Sequence, residues 1–270
     1  MTDAIDIATP VRRQLSGMVW PLVLTGHAAA LEVLQQQFRI SERADAQVIR
    51  AAQMAQIAAL AAHAHSHSPF WRDRLDAAGY SAAEPTRHWF AALPILDRPQ
   101  AKAAGSGLRA LPAPPGHGAI FMLKTSGSTG TPMEIAKTGL ADLFWQAIGL
   151  RDSLWHCRDL RGKLAAIRVG AAAEQAPTWG PAYAGYATGP AATFDARADV
   201  DSQLDWLLEQ RPQYLLSHAS NLYALATRSI KRGERLAGLA EVRSFSERPA
   251  DELAETVRAA WGVPTKSLAH

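Results

Sequence analysis

The sequence predicts an α/β protein: a helical N-terminal region followed by a mostly parallel sheet with flanking helices. Three observations carry that expectation. Up to residue 115 the apolar residues recur at helical spacing. A proline- and glycine-rich connector, RALPAPPGHG (Arg109–Gly118), then interrupts the pattern. Beyond it, short apolar runs alternate with amphipathic segments. Strand and helix by turns imply right-handed crossovers and a parallel sheet covered by helices. The expected division is residues 1–115, helical, and residues 116–270, a nucleotide-binding α/β region.

In the first region, Arg43–His67 is alanine-rich and free of glycine and proline, with Val48, Ala51, Ala55, Ile57 and Leu60 at roughly helical spacing. It stops before Pro69. PFWRDRLDAAG reads as a short helix closed by Gly79. A further helix starts at Asp97, with Pro99 in its first turn. In the second region, AIFMLKT (Ala119–Thr125) and MEIAKT (Met133–Thr138) read as two strands. LADLFWQAIGLRDSLWHC follows as a helix and KLAAIRVG (Lys163–Gly170) as a strand. Thr178–Phe194 reads as a Gly/Pro/aromatic loop. DVDSQLDWLLEQRP, ASNLYALATRSIKRG and ADELAETVRAAWG are helices, with QYLLSH, EVRSF and VPTKSL as the strands between and after them.

The bulk numbers exclude several classes. The 270 residues are 48% hydrophobic and 20% charged, which suits a packed core rather than a disordered chain. The 28 basic and 25 acidic residues, net charge +3, are too evenly balanced to point to nucleic acid. A single cysteine, Cys157, permits neither an internal disulfide nor a cysteine-based zinc site. The opening MTDAIDIATPVRRQ puts acids before any apolar run, unlike a secretory signal. The apolar stretch Met18–Leu24 is too short for a bilayer and contains a proline. A cytoplasmic protein with no membrane segment is expected.

The most unusual run is KTSGSTGTP (Lys124–Pro132), with five hydroxyl side chains and two glycines in nine residues. Glycines let backbone amides curl around an anion, and serine and threonine hydroxyls add donors. It is not the Walker-type loop: Gly127 and Gly130 are too close together, no lysine follows Gly130, and the next segment reads as a strand rather than a helix. The candidate is a phosphate-binding loop inside a β-hairpin. The same residues also fit a solvated hairpin turn.

TSGSTGTP resembles the phosphate loop of the adenylate-forming superfamily, the acyl- and aryl-CoA ligases. The chain looks most like the phenylacetate–coenzyme A ligase branch, whose elements it resembles in order. HSPFWRDRLDAAGY (His67–Tyr80) is similar to that branch's SPFYRERL element, and LPILDRPQ (Leu93–Gln100) to its segment before the loop. RPQYLLSHASNLYALA (Arg211–Ala226) is similar to a strand–helix unit, and FSERPADELAETVRAAWGVP (Phe245–Pro264) to the stretch running from GEP to FGVP.

The resemblance implies activation of a carboxylic acid by ATP, with magnesium, as an acyl-adenylate, and transfer of the acyl group to coenzyme A. It assigns Thr125, Ser126, Gly127, Ser128, Thr129, Gly130 and Thr131 to the ATP phosphates. It places Glu247 near the nucleotide, with Ser246 standing where the family has glycine. Met133 occupies a position where many members carry lysine. The sequence ends at VPTKSLAH (Val263–His270), where the family's aromatic–x–x–Glu magnesium motif, ribose-binding aspartate and lysine-bearing C-terminal domain would begin. The chain therefore resembles the first part of such an enzyme, and no catalytic residue is assigned. The alternative is a non-catalytic remnant that binds nucleotide or acts through protein contacts, self-associating through an open sheet edge.

Other constellations have plainer readings. His63 and His67 share a helical face but lack a cysteine or acidic partner, and a helix end suits histidine without a metal. His156 and Cys157 are adjacent and point apart on a helix, and the thiol is expected to be buried and inert. Trp179, Tyr183 and Tyr186 fit an acyl pocket or core packing. His218 lies at a strand end, where open parallel sheets bind ligands; alternatively, Ser217 or Ser220 caps the following helix. With the magnesium, ribose and lysine motifs missing, pyrophosphate release from ATP across a panel of aryl and fatty acids is expected to stay near background. Robust release, measured by a coupled phosphate assay, would refute that expectation.

Overall fold

The computed structural model describes residues 23–124, 134–245 and 251–267. The chain divides into two compact units, Leu34–Trp145 and Met1–Val33 with Gln146–His270. The boundaries fall inside two helices, α1 (Gly26–Ser41) and α6 (Gly139–Trp155). No helix among the described residues is long and apolar enough to cross a membrane.

The first of these units is helical with one hairpin. α2 (Ala46–His67) starts after Asp45, three residues inside the expected segment, and ends at Ser68. Ser68 is extended (φ −137°) and caps α3 (Pro69–Ala77): its Oγ accepts from the Trp71 N–H at 3.3 Å, while Pro69 occupies the first turn, where no N–H is needed. Gly79 turns the chain out of α3 at φ +75°. α4 (Thr86–Ala92) follows. α5 (Arg98–Ala104) is capped by Asp97, which accepts from Gln100 N–H at 2.8 Å. Ala61, Leu75 and Trp89 form the small core here. After a 3₁₀ turn at Gly105–Leu108, β1 (Ile120–Lys124) pairs antiparallel with β2 (Glu134–Thr138), in register from Ile120↔Thr138 to Lys124↔Glu134. The hairpin is a two-stranded sheet of its own.

The second unit is a layered α/β structure. After α6 come β3 (Leu164–Arg168), β4 (Glu174–Ala176), β5 (Ala191–Asp195), α7 (Val200–Gln210), β6 (Tyr214–His218), α8 (Ala219–Arg232), β7 (Glu241–Phe245), α9 (Leu253–Trp261) and β8 (Thr265–Ser267). The sheet runs β4-β5-β3-β6-β7-β8; only β4 is antiparallel to its neighbour. Alternation along the strands sends Ala165, Ile167, Leu215 and Val242 to a core shared with Leu207 of α7, Leu222 of α8 and Val257 of α9. Leu164, Ala166, Tyr214 and Leu216 face the other way, onto Leu150 of α6 and onto Trp179 and Tyr183. Each fully buried leucine contributes about 1.5–3 kcal/mol by leaving water.

Two elements depart from expectation. The end of the stretch read as loop, Ala191–Phe194, is inside β5, and the edge strand β4 was not foreseen. Both are short. β5 follows a glycine- and proline-rich run, and all three residues of β4 are exposed, so neither shows the alternation that marks a strand; pairing with a distant partner makes them strands. The link into β5 is also tightly built. Gly189 N–H donates to Leu160 O at 2.8 Å, and a Cβ on Gly189 would overlap the carbonyl oxygens of Arg161 and Gly162. Replacing Gly189 with alanine is therefore expected to cost about 3 kcal/mol or more in urea unfolding. Gly107, with open space around it, should tolerate alanine; equal effects at the two positions would contradict the packing described.

Candidate active site

The strands end where an open parallel sheet binds its ligands, outside the carboxyl edge. Arg168, Asp195, His218 and Phe245 are the last residues of β3, β5, β6 and β7. Register pairs Arg168 with Asp195 and His218 with Phe245. The His218 and Phe245 rings lie 4.4 Å apart at 45°, and the Arg168 guanidinium sits 5.4 Å from the Phe245 ring centre. The edge thus carries an aromatic ring flanked by an imidazole and a cation. Such a platform can stack a planar group and neutralise an anion beside it.

The four residues differ in how far they are committed. Asp195 accepts from the backbone N–H groups of Gly170 and Arg197, each at 3.0 Å, and from Arg197 Nε at 2.9 Å. The Arg197 hydrogen bond, above all, holds its carboxyl far below the usual range, so it stays an anion that clamps the loop after β3. Arg168 has no carboxylate partner among the described residues. Its outer edge is exposed, but loss of water around the group, and then the nearby Arg243 charge, lower its pKa.

A buried ionic cluster lies between α6 and β7, starting at the first residue of that strand, Glu241. Arg158 Nε donates to Glu241 Oε1 at 2.6 Å, and its Nη1 donates to Asp152 Oδ2 at 2.7 Å. Arg243 Nη2 donates to the same Asp152 oxygen at 2.6 Å. Ser153 Oγ and Tyr183 Oη share a hydrogen bond of 2.8 Å at its flank. Two arginines balance two carboxylates, and Arg168, with no carboxylate of its own, is left as a surplus cation at the sheet end. The cluster joins α6, the turn after it and β7.

The other sequence-level candidates resolve unevenly. Thr125, Ser126, Gly127, Ser128, Thr129, Gly130, Thr131 and Glu247 lie outside the described residues. What is described is the frame of the first seven: Lys124 and Glu134 close the ladder on either side of them. Trp179 and Tyr183 are buried at the amino end of the sheet, where Trp179 Nε1–H donates to Gly162 O at 2.9 Å. They pack edge-to-face at 5.2 Å, so the structure shows core packing rather than a pocket wall. Tyr186 is half-buried and donates from its hydroxyl to Glu32 at 3.2 Å. Cys157 is exposed, not buried, and sits at φ +48° just past α6.

Neither serine caps α8. Ser217 is fully buried in β6 and donates to Ile167 O at 2.9 Å, Ser220 is inside the helix, and His218 occupies the cap position without a side-chain capping bond. Each histidine of the HAHSH run has a protein partner: His63 Nε2–H donates to Ala110 O, His65 Nε2–H to Asp76 and His67 Nδ1–H to His63 O. Among the described residues no three metal-ligating side chains converge.

Sequence reasoning missed Arg168, Phe245 and the cluster. One signal was present: in EVRSF the alternation puts Glu241, Arg243 and Phe245 on one face, and charges on the inner face of a strand call for partners.

The chain shares its fold with a CoA ligase of known structure. Among solved structures, 2-hydroxyisobutyryl-CoA ligase in complex with 2-HIB-AMP and CoA, in its thioesterification state, matches with a TM-score of 0.61 at 19% identity, over 83% of this chain and 49% of that one. An open conformation of that enzyme matches with a TM-score of 0.58 at 17% identity, over 79% and 48%. Its postadenylation state with 2-HIB-AMP gives 0.57 at 18% identity, over 79% and 46%. The chain thus spans about half the length of the solved chains it matches. No protein-family model and no curated protein sequence matches it.

Breaking the cluster from one side should be costly. Asp152→Asn leaves Arg158 with Glu241 alone and takes from Arg243 the carboxylate it donates to, with Arg158 side-chain exposure at 1% and Arg243 at 5%. A loss of about 3–5 kcal/mol in denaturant unfolding is expected. A loss below about 1 kcal/mol, the scale of an exposed pair, would show the cluster to be solvated.

Proposed function

We propose that the chain is the ATP-phosphate-holding portion of a protein that activates a carboxylic acid in the manner of the phenylacetate–coenzyme A ligase branch, with turnover impaired in this chain taken alone. A carboxylate oxygen attacks the α-phosphorus of ATP, pyrophosphate leaves, and an acyl-adenylate forms. The thiolate of coenzyme A then attacks the acyl carbon and AMP departs. Acid, ATP and coenzyme A are thus the proposed small-molecule partners.

The observation that carries this reading is the hairpin. Its Lys124↔Glu134 register brackets a segment whose glycines and hydroxyls suit an anion nest. In this reading the amides and hydroxyls of residues 125–131 hold the ATP phosphates and stabilise charge on the departing pyrophosphate. Glu247, two residues beyond Phe245, belongs to the nucleotide side. Arg168 and Phe245 supply a cation and a stacking face at the sheet edge. Magnesium is implied by the resemblance alone.

Valine at Gly127 and Gly130 adds Cβ branches where the nest needs bare backbone. ATP binding, followed by titration calorimetry, is expected to disappear in the double variant. Unchanged binding would remove the loop from the mechanism. Arg168→Ala should weaken binding of AMP or the acid by about tenfold, the scale of one lost charge-assisted hydrogen bond.

A further inference from the structure

The unit Leu34–Trp145 contains a cavity of about 780 Å³, within the range of small-molecule sites. α5 and the chain after it form one wall, including Ala101, Leu108 and Leu111; the strands form another through Ile120, Ile135 and Ala136. The wall at Gly107–Ala110 is held from behind. Ser68 Oγ–H donates to Gly107 O at 2.7 Å, Trp71 Nε1–H to Leu108 O at 3.0 Å and His63 Nε2–H to Ala110 O at 3.2 Å. Those carbonyls are satisfied by α2 and α3, so the cavity meets side chains there rather than unpaired backbone. This is also what His63, singled out in the sequence, does in the fold.

The charges lining the cavity are unequal. Arg109 lies 3.5 Å from Glu134, an ion pair that cancels. Lys102 also lines the cavity and has no carboxylate partner among the described residues. An apolar chamber with one surplus cation selects for an apolar body bearing a single negative charge.

We propose that this cavity binds an amphiphilic carboxylate, its tail against Ile120, Ala136 and Leu111 and its head at Lys102. The site is built wholly within Leu34–Trp145. It uses none of residues 125–131 and stands whether or not the ligase reading does.

The test is titration calorimetry of the full chain with dodecanoate, dodecanol and dodecyltrimethylammonium, each below its micellar concentration. Saturable dodecanoate binding is expected, with the ammonium weaker. Lys102→Glu, an exposed change, should weaken dodecanoate by about tenfold and leave dodecanol unchanged. Ala136→Trp, at an exposed strand position facing the cavity, should abolish both. Three results would overturn the proposal: no saturable dodecanoate binding, equal affinity for the ammonium, or insensitivity to both substitutions. Loss of dodecanoate binding in the Gly127→Val/Gly130→Val protein would also overturn it, because the acid would then occupy the adenylation site.

Discussion

Parallel pairing of β3 with β5 on one side and β6 on the other is the constraint from which the rest of the second unit follows. A parallel pair cannot be closed by a tight turn, so each crossover must carry the chain back across a face. Both faces are then covered, and strand residues of both parities must be apolar. That is why Ala165 and Ile167 meet α7, α8 and α9 while Leu164 and Ala166 meet α6. The same geometry puts every parallel strand's carboxyl end at one edge, where Arg168, His218 and Phe245 gather although as many as 77 residues separate them in sequence.

The ionic cluster is the costly exception in this apolar frame. Removing Arg158, Arg243, Asp152 and Glu241 from water carries a penalty of several kcal/mol per ion, which close pairing repays only with good geometry. Hydrogen bonds of 2.6–2.7 Å meet that requirement. What the cluster gains is orientation: it ties the end of α6 to β7, whose last residue is Phe245. Loss of water around Arg168, and then the nearby Arg243 charge, make it a more demanding cation than an arginine in water. A group whose own charge is disfavoured gains more from an incoming anion.

The helical unit solves a different problem. A two-stranded hairpin has little stability alone, and Phe121, Met122 and Leu123 are each about half exposed. Its apolar residues have no third strand to cover them within the described chain. Instead, Ile120 and Ala136, on one face of the hairpin, line a chamber whose opposite wall is pinned by Ser68, Trp71 and His63. The two cores thus follow different rules, one of sheet against helix and one of short helices around Trp89.

Much of the fold was legible in the sequence because it rests on local signals. Helix limits followed Pro69, Gly79 and Asp97, whose effects act within one turn, and most of the strands announced themselves as apolar runs. β4 and the start of β5 were illegible because their only stabiliser is a partner elsewhere in the chain. The phosphate loop was legible as composition, since glycine and hydroxyl residues act through their own backbone. Arg168, Phe245 and the Arg158–Asp152–Arg243–Glu241 cluster were not, because a charge's meaning depends on what stands within a few ångströms of it. The sequence by itself determined the order and kind of elements. Only the tertiary structure decided that Arg158 and Arg243 are neutralised while Arg168, at the sheet edge, has no carboxylate partner among the described residues, because pairing is a matter of distance in space rather than of spacing along the chain.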